Sequence, residues 1–438
     1  MGSSRSGKAH WRRWAQGGVL AGFLLLVGWP VWTYMQAVQQ WRRAQQAAEV
    51  EDWPRVREHL DACRSMWQYN SAWHLAYGRT LRHGGELSLA RQHILQAERL
   101  GQNPSEIALE KVLLRFLEGD PTAEKDLWER YNRGEAADAA QIVPVLVPRL
   151  LAQFRLPEAG PLSVQWVQLR PQSIPAWKYR ALILERLHPN SEETVAAWRQ
   201  WQHLAPQDRA ARLGLVRLLL QRRERLEEAA ALLEEHRQQS PEDEEGRLLL
   251  AEVRFLQGNQ EAALELLHTV IAAGTQESRA YWLRGRWHLQ VGEWSRAVSD
   301  LRRAVELDPS FPDAWYNLFQ ALQQSGAPTE EVRQAEERWR RCDQDLRQAG
   351  LLARRIGEQP WDPDLRQQLG ELFLRNGKDT EGLRWLHSAL QIQPDHPATH
   401  RTLAEYHERH GRPDLAAPHR QFLPPSRPPQ NPPGKTSR

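Results

Sequence analysis

One stretch constrains this chain more than any other. From Arg279 to Pro309, large, small and helix-breaking residues recur at the spacing of two short helices joined by a tight turn. Tyr281, Arg284, Gly285 and His288 fall on the first helix, Gly292 and Glu293 make the turn, and Ala297, Leu301 and Ala304 fall on the second. Small Gly285 and Ala297 let the helices approach, while Tyr281 and Leu301 fill the remaining gap. Pro309 then stops the second helix. A pair this short buries its apolar face mainly against neighbours of the same kind, so the pattern demands an array.

Proline supplies an independent ruler. Pro171, Pro206 and Pro241 lie 35 apart, Pro241 to Pro309 is 68, and Pro394 to Pro428 is 34. The interval from Pro309 to Pro394 is 85, which leaves room for an extra or extended helix, and Thr329 to Ile356 is the helix-rich stretch within it. Other units share the register. His74, Tyr77, Gly78 and Leu81 precede Ala90, Ile94 and Ala97; Arg366, Leu369, Gly370 and Phe373 precede Leu386 and Ala389, with Gly382 where alanine is expected. A last unit carries His400, Leu403, Ala404 and His407, then Gly411 and Ala416. Between about 104 and 170 the motif fades and Pro144, Pro148, Pro157 and Pro161 interrupt it.

These positions resemble the tetratricopeptide repeat, with Arg284 standing where leucine is usual. The resemblance covers roughly residues 41 to 422 and suggests a membrane-anchored bacterial tetratricopeptide repeat protein. It implies an all-α fold, a right-handed superhelical solenoid of helix pairs preceded by one transmembrane helix, whose concave face is built mainly by first helices. The expected organisation is a basic segment at 1–16, an anchor at 17–35, repeats at 37–103, divergent helical repeats at 104–171, repeats at 172–328, a helical insertion at 329–360, repeats at 361–422 and a disordered Pro-rich tail at 423–438.

The anchor expectation rests on Gly17 to Met35, an uncharged apolar run long enough for a hydrocarbon core of roughly 30 Å. Arg5, Lys8, Arg12 and Arg13 precede it without an acidic residue, whereas Glu49, Glu51 and Asp52 follow soon after it. That bias predicts a single-pass inner-membrane protein with a cytoplasmic N-terminus and periplasmic repeats. A cleaved signal peptide is the rival reading, but no small-x-small site follows the run. The N-terminal Met1-Gly2-Ser3-Ser4-Arg5-Ser6 also fits a myristoylation pattern, which a spanning helix would make redundant.

Composition removes several function classes. With 58 basic against 55 acidic residues and the signs interleaved, nothing calls for nucleic acid. Cys63 and Cys342, far apart, form neither a metal pair nor a disulfide framework and read as small apolar helix residues. No nucleophile elbow, phosphate-cradling loop or dinucleotide fingerprint occurs, so neither an enzyme nor a cofactor nor a small-molecule substrate is expected. Among the divergent residues, Glu106, Glu110, Asp120, Glu124 and Asp126 read as helix caps and surface charge. His396, His400, His407, His410 and His419 cluster near the end, yet without supporting ligand motifs they read as histidines on a solvated helix face, and no metal is expected.

In tetratricopeptide proteins the groove-facing positions of first helices correspond here to Arg279, Trp282, Arg286 and Gln290, then to Tyr316, Gln320 and Gln324. Cationic, aromatic and amide groups together suit an extended peptide. Asn317 could echo the family's lysine-asparagine carboxylate clamp, but Trp282 and Arg286 stand where that clamp needs other residues. The expected function is a non-catalytic scaffold at a membrane that binds proteins or extended peptides in this groove. The alternative is an assembly or processing factor that presents cell-envelope components to a separate enzyme.

Overall fold

The computed structural model describes residues Trp29 to Leu423, which form 23 helices and no strand. They are the antiparallel helix pairs of a tetratricopeptide-like solenoid. The pairs fall into two units. One comprises residues 29–149, 159–186 and 203–205; the other comprises 150–158, 187–202 and 206–423.

The close approach expected at Gly285 is present. A Cβ built there would lie 2.7 Å from Leu301 Cγ, and the equivalent positions behave alike: Gly78 against Ile94 Cγ1 at 2.9 Å, Gly370 against Leu386 Cγ at 2.8 Å. Gly382 replaces the usual alanine for the same reason, since its Cβ would stand 2.9 Å from the carbonyl oxygen of Gly370. Gly292 occupies the turn between Ser278–Gln290 and Trp294–Leu307 at φ 78°, a conformation that L-residues other than glycine adopt at a cost.

The prolines of the ruler have a second role. Four of them end a helix pair with a carbonyl that a side chain six residues later satisfies. Trp177 donates to Pro171 O at 2.8 Å, Trp315 to Pro309 O at 2.9 Å, His400 to Pro394 O at 2.8 Å, and Arg212 to Pro206 O. Tryptophan, arginine and histidine therefore substitute for one another at this joint because each brings an N–H to the same place.

The 85-residue proline interval contains one 30-residue helix, Thr329–Glu358. Its first half buries Ala335 and Cys342; its second half buries Leu352 and Ile356 against Leu365, Leu369 and Trp385. Phe154 joins that cluster, its ring 4.1 Å from the ring of Trp385.

The membrane assignment is corrected by the structure. Residues 17–28 of the apolar run lie outside the described residues, as do 1–16 and 424–438. The remaining part, Trp29 to Met35, opens the 21-residue helix Trp29–Glu49, which continues through Gln36, Gln39, Gln40, Arg42 and Arg43. Its buried residues are Ala37, Ala44 and Ala47, one face of an amphipathic helix packed into the first core cluster. Among the described residues no helix is long and apolar enough to cross a membrane. This overturns the expected inner-membrane location with periplasmic repeats.

Candidate binding groove

Three successive first helices of the unit holding 206–423, Glu244–Leu256, Ser278–Gln290 and Pro312–Gln324, form one stretch of its first-helix face. Their starts are 34 residues apart, so side chains at the same register stand side by side: Glu252 precedes Arg286 by 34, and Gln320 follows Arg286 by 34.

Arg279 reaches back to Glu252, with 2.5 Å between Nη2 and Oε2. Trp282 is not presented to the groove as the register suggested. Only 8% of it is exposed, and its ring belongs to the core cluster with Leu248, Leu283 and Leu318. Its indole N–H donates to Asn317 Oδ1 at 2.9 Å. Asn317 Nδ2 then donates to Gln320 Oε1 at 3.3 Å, and Gln320 Nε2 donates to the Tyr316 hydroxyl at 3.1 Å. The amides read as ligand partners are thus already bonded to one another, while Tyr316 keeps 38% of its surface exposed beside Trp339. Gln290 and Gln324 are exposed at the helix ends.

Arg286 differs from all of these. Its guanidinium lies over the ring of Trp282 at 4.8 Å and over the ring of Phe255 at 5.0 Å. Burial lowers its pKa from the ordinary arginine value, the charges of Glu252 and Asp313 oppose that shift, and Arg223 adds to it. No described residue accepts a hydrogen bond from it or pairs with it, because Glu252 is engaged by Arg279. The result is a half-buried cation, seated over two aromatic rings, with its donors unused.

Register alone placed Arg279, Arg286, Gln290, Tyr316 and Gln320 on this face. It did not single out Phe255, Glu252 or Asn317. The 34-residue offset between Glu252 and Arg286 was the available signal.

Two other sequence readings change. Glu110 is not surface charge: it is fully buried and accepts from Arg79 Nε at 2.7 Å and Arg82 Nε at 2.9 Å. Of the C-terminal histidines, His410 is exposed as expected, but most of the others are not a solvated face. His396, His400 and His407 are buried; His400 Nδ1 faces His419 Nδ1 at 2.8 Å, and His407 Nδ1 is enclosed without a partner. Among the described residues no group of three His, Cys, Asp or Glu side chains could hold a metal ion.

Comparison with known proteins places two matches on this region. The tetratricopeptide repeat family matches residues 220–286, and the TPR repeat matches residues 285–326, so together they include every groove residue named above except Trp339. Over 148 residues the chain is 27% identical to DnaJ homolog subfamily C member 3 of Gallus gallus, a match covering 33% of this chain and 27% of that protein. The chain therefore spans about a quarter of that relative's length. Among solved structures, the APC/C hetero-tetramer Cut9-Hcn1 aligns over 93% of this chain and 84% of its own at 12% identity, with a TM-score of 0.32. YrrB, described as a TPR protein with an unusual peptide-binding site, aligns over 47% and 96% at 18% identity, with a TM-score of 0.27.

Proposed function

We propose that this chain is a non-catalytic scaffold that binds partner proteins or extended peptides along the first-helix face of residues 244–324, with Arg286 as its anchor. Tetratricopeptide repeats generally mediate protein or peptide binding, and the repeats matched here include this face. The observation that carries the reading is the unused guanidinium on Trp282 and Phe255. A partially desolvated arginine without an acceptor is completed by a carboxylate arriving from outside, in two parallel charge-assisted hydrogen bonds. Tyr316 and Gln290 flank it as exposed contacts, and Trp282 seats the cation from beneath.

Crosslinking from a photoreactive residue at Gln290 tests this. Partners crosslinked by the otherwise unaltered chain should be lost when Arg286→Gln is added. They should persist with Arg303→Gln, a substitution outside the groove. Equal crosslinking with Arg286→Gln would remove the site from this face.

A further inference from the structure

The unit holding 29–149 contains a cleft of about 440 Å³, within the range of roughly 300 to 1,000 Å³ typical of ligand sites. Its floor is apolar: Val56, Leu60 and Leu75 line it and are buried. Trp41 and Trp53 form walls, and Trp53 is held in place by stacking on His83 at 3.8 Å. The small side chains of Ala44 and Ala48 leave the space between them open.

Glu49, Arg79, Glu106, Gln141 and Arg170 also line the cleft. Most of these groups already have partners. Arg79 is fixed by buried Glu110, Glu106 accepts from Gln102 at 2.6 Å, and Gln141 Oε1 accepts from Arg82 at 3.1 Å. Among the described residues, Arg170 is the cation of this set that has none, and Glu49 is an acid without one. The Arg170 Nε is enclosed and has no acceptor, and no described residue forms an ion pair with this side chain. The acid that feels its charge, Glu51, spends its oxygens on the Trp166 indole N–H at 3.0 Å and on the Ser173 hydroxyl. The terminal Nη groups of Arg170 are not enclosed and have no acceptor among the described residues either, so a carboxylate entering the cleft can reach them in charge-assisted hydrogen bonds.

We propose that this cleft is a second binding site, taking an extended peptide segment in which a carboxylate side chain stands beside a branched or aromatic apolar one. The carboxylate meets Arg170 and the apolar side chain rests on Val56, Leu60 and Leu75. A peptide is favoured over a fatty acid because Gln45 and Gln141 line the same cleft and offer amide groups to a backbone, which an alkyl chain cannot use. The site does not depend on the Arg286 reading, since its residues belong to the other unit.

Fluorescence polarisation with the full chain tests the proposal. The probes are fluorescein-labelled, C-amidated hexapeptides carrying one Glu flanked by Leu or Phe, each paired with its Gln counterpart. Glu probes should bind at least tenfold more tightly than Gln probes. Arg170→Gln should erase that difference, and Ala48→Trp, which fills the cleft, should abolish binding while helicity is retained. Arg286→Gln should leave the affinity unchanged. The proposal is overturned if no probe binds, if Glu and Gln probes bind equally, if only Arg286→Gln reduces binding, or if decanoate competes more strongly than the peptides.

Discussion

The indole N–H of Trp282 donates to the side-chain oxygen of Asn317 at 2.9 Å, which ties the first helices of two consecutive repeats together. This bond, continued through Gln320 to Tyr316, consumes the polar groups that a groove would otherwise offer to a ligand. Arg286 is left as the unsatisfied cation on that face, and the energetic roles of Trp282 and Arg286 separate accordingly.

Trp282→Ala removes a core side chain and should destabilise the chain by about 3 to 5 kcal/mol, as large aromatic truncations in cores do. Arg286→Gln removes no hydrogen bond, only its two cation–π contacts, and should cost the melt about 1 kcal/mol while weakening a captured partner by about 2 kcal/mol or more, the scale of an interface hot spot. Parallel urea melts and binding isotherms of the two variants distinguish the roles. A stable Trp282→Ala would contradict its place in the core.

Gly285→Leu should separate Ser278–Gln290 from Trp294–Leu307, because even a Cβ there meets Leu301 Cγ at 2.7 Å. The expected loss is about 1 to 3 kcal/mol through overpacking, read from the urea midpoint. An unchanged midpoint would show that this contact does not limit the approach of the two helices.

Arg284 and Asp300 take the place of an apolar contact, joined at 2.8 and 2.6 Å with Asp300 only 6% exposed. Asp300→Ala alone should cost about 1 to 3 kcal/mol, since it strands a partly buried guanidinium. Replacing both by leucine should recover most of that loss, because a paired charge in such a site is often no better than well-packed apolar side chains. A double-mutant cycle of the parent, Arg284→Leu, Asp300→Leu and the double leucine variant measures the coupling.

Acid should weaken the repeat containing His74 and His93. His74 Nε2 donates to the carbonyl of Gln68 at 2.8 Å, so His74 Nδ1 is left to accept a hydrogen bond from His93 Nδ1–H at 3.0 Å. Burial, then the charges of His74 and Arg64, holds His93 down to about 4. An unfolded histidine takes its proton near about 6.5. Between those values the unfolded chain binds more protons, so this contribution to stability is lost as pH falls through that window. His407 and His419, lowered chiefly by burial, act in the same sense. Glu51 acts oppositely, because burial raises its carboxyl and favours proton uptake in the fold. Comparing melts at pH 7.5 and 5 for the parent and His93→Phe isolates the histidine: the variant should lose less on acidification.

The repeat architecture was legible because its determinants are local and periodic. Gly285, Ala297, Leu301 and Pro309 each act within one helix pair, so spacing alone reveals which residues meet. The groove was legible in part. Register brought Arg279, Arg286 and Tyr316 to one face, but it carried no information on depth, and so it assigned buried Trp282 the same role as half-buried Arg286. The apolar run at 17–35 misled for a related reason. Hydropathy measures composition, whereas the described part of that run continues into a helix whose alanines pack against its neighbours.

What the amino-acid order determined by itself is the helix pair, its period and the residues that must be small. What only tertiary structure decided is which polar groups lose water and to whom they are bonded. Glu110 is buried against Arg82 and Arg79, both from the helix Ser71–His83, 28 and 31 residues earlier in the chain. Arg366, with burial lowering its pKa to about 10, donates to the carbonyl of Gln153, 213 residues away. Nearest-neighbour stacking repeats along the chain and can be read from it. Desolvation depends on every atom that closes around a group, and those atoms come from positions with no periodic relation to it.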